Sequence, residues 1–395
     1  MKKILFYTTF LTQGGGIEVV TVRYINKFIE NGYKVDLYID YDMGEENIRE
    51  KEIDKRAKIT YLKSEKISKL IYKLRTLGKE KKIYNIFLYI LILVSDFIIW
   101  KKEIKKIERE NYDATISFFQ FLPSYITKVK GPKHMIFLHG SVKQYFEGIR
   151  KYFKNSFFNK INRFDYICTV SEEMRVQLKE IFPNLTNKQV TIYNPIDFET
   201  IENKACERGD LTLDEEELLN SSYICSVGRL DEGQKDFNTL IKAYANLKNK
   251  SKIDVKLVLV GDGPDREKLE NLVRELKLEN DIIFLGKKSN PYIWMKNSKV
   301  FILSSKYEGL PTVLIEALIL NAPSISSNCL TGPVEILENG KYGELFNIGN
   351  VKELEEKILL SLGKREEIKT RDYIERKFGS GFVILEKVLK SGDKR

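Results

Sequence analysis

The chain has 395 residues, of which 43% are hydrophobic and 31% are charged, and its formal net charge is +10. A chain of this length usually divides into two domains with separate cores. The composition is that of a globular protein, without the bias that marks disorder or repeats. The two histidines exclude a histidine-rich metal centre, and four isolated cysteines indicate neither a zinc site nor a disulfide framework.

The net positive charge comes from the first half of the chain. Residues 1–195 hold 35 Lys and Arg against 22 Asp and Glu, a balance of +13, whereas the remainder is close to neutral. A basic half predicts an anionic partner, either a phospholipid surface or a phosphorylated substrate. Nucleic acid is disfavoured, because no recognition-helix signature or aromatic-interleaved basic motif is present.

The first half predicts strands that alternate with helices. KILFYTT reads as a strand rather than a signal peptide, since its apolar run is short and leads straight into three glycines. A glycine loop, a helix over 17–31 and the strand KVDLYID complete a βαβ unit. Further strands are predicted at 114–119, 134–140, 166–171 and 190–194.

A second alternating series follows an acidic stretch, 197–222, which we interpret as a surface linker or an irregular excursion near the domain boundary. Strands are predicted at 223–230, 256–263, 282–286, 299–305 and 322–328, with helices between several of them. Alternation of this kind is typical of a doubly wound parallel sheet. The fold class predicted is therefore α/β, with two Rossmann-like domains.

Residues 85–100, NIFLYILILVSDFIIW, are almost wholly apolar and have lysines on both sides. The stretch is too short for a transmembrane helix and contains Asp96. An interfacial helix on an anionic leaflet and an ordinary core helix remain equally open. We expect any membrane contact to involve residues 79–106.

The first glycine loop joins a strand to a helix, an arrangement that suits close approach of an anionic ligand. A dinucleotide fingerprint would require a third glycine where Val19 stands, which argues against a nicotinamide-dependent oxidoreductase. Asp40 and Asp42 form an Asp-x-Asp pair at a strand end. We do not assign a metal to that pair.

The second half carries the most specific motifs. Arg229 and Lys235 follow a buried strand, so their charges are expected at the carboxyl end of the sheet, where α/β folds bind ligands. Glu308 and Glu316 are separated by seven residues across a loop-to-helix junction, EGLPTVLIE. The loop would present backbone N–H groups to a phosphate or sugar, and a carboxylate further along the helix could accept both hydroxyls of a ribose.

Residues 226–346 resemble the donor domain of the large retaining glycosyltransferase family with the two-Rossmann GT-B architecture (family 4, "group 1" type). The resemblance rests on VGRL with a following lysine, VGDGP (260–264), FLG (284–286), SSKYEGLPTVLIEAL (304–318) and TGPVEIL (331–337). The first half resembles the family more loosely, through the glycine loop, HG at 139–140, TVSEEMR and IYNPID. The resemblance implies an acceptor domain over 1–197, a donor domain over 198–375 and a C-terminal helix over 376–395 that crosses back to the first domain.

The same resemblance implies the roles of individual residues. Arg229 and Lys235 would bind the donor diphosphate, Glu316 the ribose, and Glu308 the transferred sugar, while His139 would contact that sugar from the opposite domain. The donor-binding set is Gly15, Gly16, Gly228, Gly261, Gly286, Lys287, Gly309, Leu310, Pro311, Thr312 and Glu316. Asp236 follows the lysine where the family often has glycine, which leaves the identity of the donor open.

The function expected is transfer of a hexose or N-acetylhexosamine, with retention, from a nucleotide-diphosphate sugar, with UDP favoured. The acceptor expected is a glycan or lipid-linked molecule of surface polysaccharide or glycolipid assembly, and no catalytic metal or other cofactor is expected. A cytoplasmic protein, peripheral on the inner face of the plasma membrane, is the expected location. The alternatives are the oxidoreductase and a non-catalytic, membrane-associated module that binds sugar nucleotides.

Overall fold

The computed structural model contains two parallel β-sheets, each flanked by helices. It describes residues 2–12, 16–78, 82–118, 125–147, 152–209, 211–251, 253–363 and 369–391, without the side chains of 72–78, 82–91 and 93. The seven-stranded sheet spans the first half of the chain and the six-stranded sheet the second. Two doubly wound parallel sheets confirm the predicted fold class.

The first sheet has the strand order β3-β2-β1-β4-β5-β6-β7, with every pairing parallel. Its strands are β1 (Lys3–Thr8), β2 (Lys34–Tyr41), β3 (Lys58–Lys63), β4 (Ala114–Phe118), β5 (Lys133–Leu138), β6 (Tyr166–Thr169) and β7 (Gln189–Thr191). The helices are α1 (Gly16–Glu30), α2 (Glu65–Gly78), α3 (Lys82–Arg109), α4 (Val142–Tyr145), α5 (Lys154–Ile161) and α6 (Glu172–Ile181).

The second sheet has the order β10-β9-β8-β11-β12-β13, again all parallel. Its strands are β8 (Tyr223–Val227), β9 (Lys256–Val260), β10 (Ile282–Gly286), β11 (Val300–Leu303), β12 (Ser324–Ser327) and β13 (Glu344–Phe346). The helices are α7 (Phe198–Lys204), α8 (Leu213–Asn220), α9 (Phe237–Ser251), α10 (Arg266–Glu275), α11 (Tyr292–Lys296), α12 (Thr312–Ile319), α13 (Pro333–Ile336), α14 (Val351–Gly363), α15 (Arg371–Phe378) and α16 (Gly381–Lys390).

The stretch interpreted as an irregular linker is helical over much of its length, because it contains α7 and α8. A capping box stabilises α8: the Thr212 hydroxyl accepts from the backbone N–H of Glu215, and the Glu215 carboxylate accepts from the backbone N–H of Thr212. The acidic run therefore occupies the first turn of a helix, where negative charge is favourable.

The last helix, α16, packs on the first domain. The Phe382 ring lies 4.8 Å from the Phe28 ring of α1, edge to face. The Tyr33 hydroxyl donates to the Glu386 carboxylate at 2.6 Å, and the Lys133 ammonium donates to the carbonyl of Leu389 at 2.6 Å. The C-terminal residues thus connect the two sheets a second time.

The apolar stretch 85–100 lies within α3, a 28-residue helix with two different faces. One face is docked: the buried Trp100 packs on Tyr7, and Asp96 pairs with the buried Lys63 of β3 at 2.7 Å. The other face exposes Phe97 and Ile98, the latter by 63%. Among the described residues, no helix combines the length and apolarity needed to cross a bilayer.

Candidate active site between the two sheets

Three predicted glycines lie side by side at the carboxyl ends of β8, β9 and β10. Gly228 donates its N–H to Val260 at 3.0 Å, and Gly261 donates to Gly286 at 2.8 Å. A Cβ on Gly261, whose φ is +143°, would lie 1.9 Å from the carbonyl oxygen of Gly228. Only glycine allows this approach, so this edge of the sheet carries no side chains at the three positions.

Lys287 follows that edge, and its surroundings lower the pKa of its side chain. Burial lowers the pKa of its ammonium group, and the nearby Arg49 of the first domain lowers it further. Cations from both domains therefore lie close together beside β10. A bound anion would relieve their repulsion.

Lys235 and Glu308 form an ion pair at the loop before α12. The ammonium nitrogen lies 2.6 Å from the carboxylate oxygen of the glutamate. The same carboxylate accepts from the Ser305 hydroxyl at 2.6 Å and from the Gln234 amide at 3.4 Å, and the Thr331 hydroxyl donates to the Glu308 carbonyl. Four contacts hold this buried glutamate in one position, so the structure brings together two residues that are 73 positions apart.

Arg229 follows β8 and forms an ion pair of its own. Its guanidinium contacts Asp231 at 2.6 Å, and its side chain is 53% exposed. Together with Arg49 it lowers the pKa of the Glu18 carboxyl of α1, against a larger upward effect of burial. The charge of Arg229 is therefore close enough to α1 of the first domain to interact with one of its acids.

His139 follows β5 of the first sheet and meets the second domain directly. Its ring packs against Phe118 and Phe137, and its Nε2 is buried without a hydrogen-bond partner among the described residues. Burial lowers the pKa of His139 to about 3, so the imidazole is neutral at working pH. A Cβ on Gly309 would lie 2.0 Å from the carbonyl oxygen of His139.

The loop EGLP ends at the start of α12. Pro311 precedes the helix, and Thr312 is its first residue. The first amides of a helix have no intrahelical acceptor and attract anions. Leu310 is buried in the core, which leaves only its backbone for a ligand. The opposite Gly332, at φ +95°, has no room for a side chain, since a Cβ would lie 2.5 Å from the Pro311 ring.

A cavity of about 830 Å³ lies between the domains and is lined by residues of both. Gly16 and Arg23 of α1 line one wall, and Val227, Thr312 and Glu316 line the other. The volume is within the range of small-molecule sites. Gly16 and Glu316, predicted from distant motifs, thus face one cavity, while Gly15 lies outside the described residues.

A further contact joins the domains between α13 and the start of α6. The Glu335 carboxylate of α13 accepts from the backbone N–H groups of Glu172 and Glu173, at 3.2 and 3.1 Å, and from the Tyr193 hydroxyl at 2.6 Å. Gly332 donates its N–H to the Glu173 carboxylate at 2.6 Å. A carboxylate at the N-terminus of α6 is favourably placed. The motifs TVSEEMR and TGPVEIL, noted separately in the sequence, meet here.

Two family models match the chain in succession. Residues 14–200 match "Glycosyltransferase Family 4" and residues 212–377 match "Glycosyl transferases group 1". The chain belongs to this glycosyltransferase family. The family resemblance that the EGLPTVLIE and VGRL motifs indicate is confirmed.

Relatives and solved structures agree with this placement. An N-acetylgalactosaminyltransferase of Campylobacter jejuni, named for the acceptor N-acetylgalactosamine-N,N'-diacetylbacillosaminyl-diphospho-undecaprenol, is 34% identical over 50% of this chain, and the match covers 53% of that relative. An uncharacterized glycosyltransferase of Haemophilus influenzae is 27% identical over 90% of this chain and 88% of its own length. Anabaena HepE, solved with UDP and glucose, has the same fold, with a TM-score of 0.75 and 17% identity over 99% of this chain and 100% of HepE.

Several residues that shape the site were not predicted from the sequence. Ser305 and Gln234 fix Glu308, while Arg23 and Tyr292 surround Glu316. A charged residue within the apolar pattern of α1 was the available signal for Arg23. Its partner could not be inferred, because that partner is 293 positions away in the other domain.

Proposed function

We propose that this glycosyltransferase moves a hexose or an N-acetylhexosamine from a UDP-sugar to an acceptor, with retention at the anomeric carbon. The observation that carries the proposal is the set of groups around the gap between the sheets. Thr312, at the start of α12, and the buried Glu316 line the cavity between the domains, and the Lys235–Glu308 pair lies in the loop before α12, next to the Gly309 that approaches His139 of the first domain. A cation, free amides and two acids suit a nucleotide diphosphate joined to a sugar.

In this proposal the second domain holds the donor. Lys235 and Arg229 bind the diphosphate, with Gly16 and the amides from Gly309 to Thr312 close to the phosphate nearest the sugar. Glu316 accepts hydrogen bonds from the two ribose hydroxyls. The nucleotide lies on the glycine edge of the sheet, formed by Gly228, Gly261 and Gly286, and next to Lys287. Glu308 accepts hydrogen bonds from sugar hydroxyls. The neutral His139 forms a hydrogen bond with a sugar hydroxyl from the side of the first domain.

The chemistry proposed needs no protein nucleophile. The bond between the anomeric carbon and the diphosphate oxygen breaks, and the acceptor oxygen forms a bond to the same face of that carbon. The acceptor proton passes to the departing diphosphate. Lys235 and Arg229 stabilise the negative charge that grows on the leaving oxygen, which is electrostatic preorganisation of the site.

A lipid-linked or glycan acceptor is supported by the charge of the first domain and by the names of the relatives. The first 195 residues carry an excess of 13 positive charges. The Campylobacter relative is named for a diphospho-undecaprenol acceptor, and a Salmonella typhimurium relative, 30% identical over 47% of this chain, is a lipopolysaccharide 1,6-galactosyltransferase. We propose a role in surface polysaccharide or glycolipid assembly on the cytoplasmic side of the membrane.

The direct test incubates the protein with radiolabelled UDP-sugars and a lipid extract. Label is expected in the organic phase, and the product is expected to keep the anomeric configuration of the donor by NMR. Binding of UDP without any transfer would favour a non-catalytic binding module. An inverted product would remove the proposed mechanism.

We expect the reaction to proceed without a catalytic metal. The leaving-group charge is assigned to the side chains of Lys235 and Arg229, which leaves no step that requires a divalent ion. Turnover measured after dialysis against EDTA should equal that of the untreated protein within a factor of two. Loss of turnover that Mn²⁺ or Mg²⁺ restores would show that this expectation is wrong.

The exposed face of α3 is proposed to lie on an anionic membrane. Val94, Phe97 and Ile98 are exposed, and Lys101, Lys102 and Lys105 continue the same face of the helix. Such a face places apolar side chains among acyl chains and lysines among anionic headgroups. The face lies on the first domain, to which the acceptor is also assigned.

Reversal of the three lysines to glutamate tests this surface. Each lysine near an anionic surface contributes about 1 kcal/mol, so partition into vesicles that contain anionic lipid should fall about 100-fold or more. Vesicle flotation measures this partition for the wild type, the triple variant and a control. The control carries the same lysine-to-glutamate change on the second domain, at Lys256, Lys268 and Lys299. Equal flotation of the two triple variants would contradict the proposal.

A further inference from the structure

One arginine of the first domain contacts the carboxylate assigned to the ribose. The guanidinium of Arg23, on α1, lies 3.4 Å from the Glu316 carboxylate and 3.4 Å from the Tyr292 hydroxyl of α11. The exposed fractions of the two charged side chains are 17% and 9%. Both residues line the cavity between the domains. The nucleoside end of the site is therefore built from both domains.

The position of Glu316 makes its charge dependent on a cation. Burial raises the pKa of its carboxyl group above the ordinary value, and Arg23 opposes this rise. A buried glutamate without a positive partner can have a pKa of about 8–9. A protonated carboxyl group would be a poorer acceptor for two hydroxyl donors, because one oxygen then carries a proton.

We propose that Arg23 is a positioning residue for donor binding: it holds Glu316 as a carboxylate, and it links that carboxylate to the first domain. This inference rests on the proposed function, in which Glu316 accepts the ribose hydroxyls. Arg23 itself is not assigned a contact with the reacting atoms. The affinity for the donor nucleotide consequently depends on a residue of the acceptor domain.

The other charged groups near this pair come from each element around the cavity. Tyr292 is the second polar neighbour of Glu316, and burial raises the pKa of its hydroxyl, so it stays neutral. Asp197, before α7, attracts Arg23 and holds its charge. The further charged residues that line the cavity are Lys27, Glu30, Arg49, Glu52, Glu199, Lys204 and Lys288, and the charge of Arg49 also acts on Tyr292. Arg23 is the cation that contacts Glu316 among the residues described.

The test measures UDP affinity by calorimetry between pH 6 and pH 8.5 for the wild type and Arg23→Met. In the variant the pKa of Glu316 is raised, so the carboxylate is present at high pH and is lost as pH falls. UDP affinity relative to wild type should fall about 10- to 100-fold between pH 8.5 and pH 6. The ionisation of UDP itself acts on both proteins and cancels in the ratio.

Matched variants separate the possible causes. Arg23→Lys keeps the charge and should follow the wild-type pH profile, and Tyr292→Phe removes a hydroxyl without a charge and should do the same. Arg23→Gln should show the same pH dependence as Arg23→Met. It therefore provides the same test if the methionine variant does not fold. Circular dichroism and the melting temperature check folding.

The outcomes also separate this inference from the proposed function. Glu316→Gln should bind UDP weakly at every pH, and wild-type affinity in that variant would remove the ribose role of Glu316. If Glu316→Gln is weak but Arg23→Met has the wild-type pH profile, the role of Arg23 alone is overturned. Tighter binding of UDP by Arg23→Met at all pH values would likewise overturn it, since the arginine would then compete with the donor.

Discussion

Replacement of Lys235 by methionine should reduce turnover about 100- to 1,000-fold, the range found when one preorganised donor to a developing negative charge is removed. Methionine keeps most of the length of the side chain and removes its charge. The departing diphosphate loses a cation, and the buried Glu308 loses its partner at 2.6 Å. Steady-state rates with a UDP-sugar measure the effect, with UDP affinity determined separately.

The matched control for this variant is Lys248→Met. Lys248 lies on α9 of the same domain and forms a 2.7 Å ion pair with Asp281, with a side chain that is 26% exposed. Its partners, Asp281 and the carbonyl of Ile253, precede β10 and β9, so this ion pair lies at the amino ends of the strands, away from the carboxyl edge assigned to the donor. Its turnover should stay within a factor of two of wild type. Turnover of Lys235→Met above one third of wild type would contradict the role given to Lys235.

Substitution of Gly309 by alanine should lower turnover at least about 100-fold, although each domain keeps its fold. The new Cβ would lie 2.0 Å from the carbonyl oxygen of His139, so the two backbones must separate by more than 1 Å. A displacement of about that size between groups that act together can reduce a rate about 100-fold. Turnover and the melting temperature should be measured on the same preparation.

Gly363→Ala is the control for the alanine substitution. Gly363 ends α14, and a Cβ there would have no atom of the described residues within 4 Å. This control variant should have wild-type turnover and equal or slightly higher stability, because alanine favours helix.

If Gly309→Ala retained turnover within threefold of wild type, the close approach of the two domains would not be needed for the reaction.

Most strands could be predicted because buried parallel strands are short apolar runs between helices. Two strands were missed, both at sheet edges. β3 begins and ends with lysine and is only half-buried over most of its length, and β13 has three residues. An edge strand buries less surface, so its apolar pattern is weak. The two helices within 197–222 were also missed, although Thr212 and Glu215 have capping-box spacing.

The parts of the site that local motifs of the second domain form could be predicted from the sequence. The EGLP loop, the glycines and Lys235 could be placed at the carboxyl edge of the second sheet, because the chain order fixes where strands end. The partners across the gap could not be predicted. The Arg23–Glu316 contact and the approach of His139 to Gly309 depend on how two separately folded sheets pack, and no local pattern encodes that packing.

A crystal structure of the protein with UDP tests the central claim most directly, namely that groups distant in sequence form one donor site between the sheets. Density for the diphosphate is predicted beside Lys235, Arg229 and the start of α12. The ribose hydroxyls are predicted within hydrogen-bond distance of the Glu316 carboxylate. UDP bound elsewhere, or bound with its ribose away from Glu316 and its phosphates away from Lys235, would contradict the account.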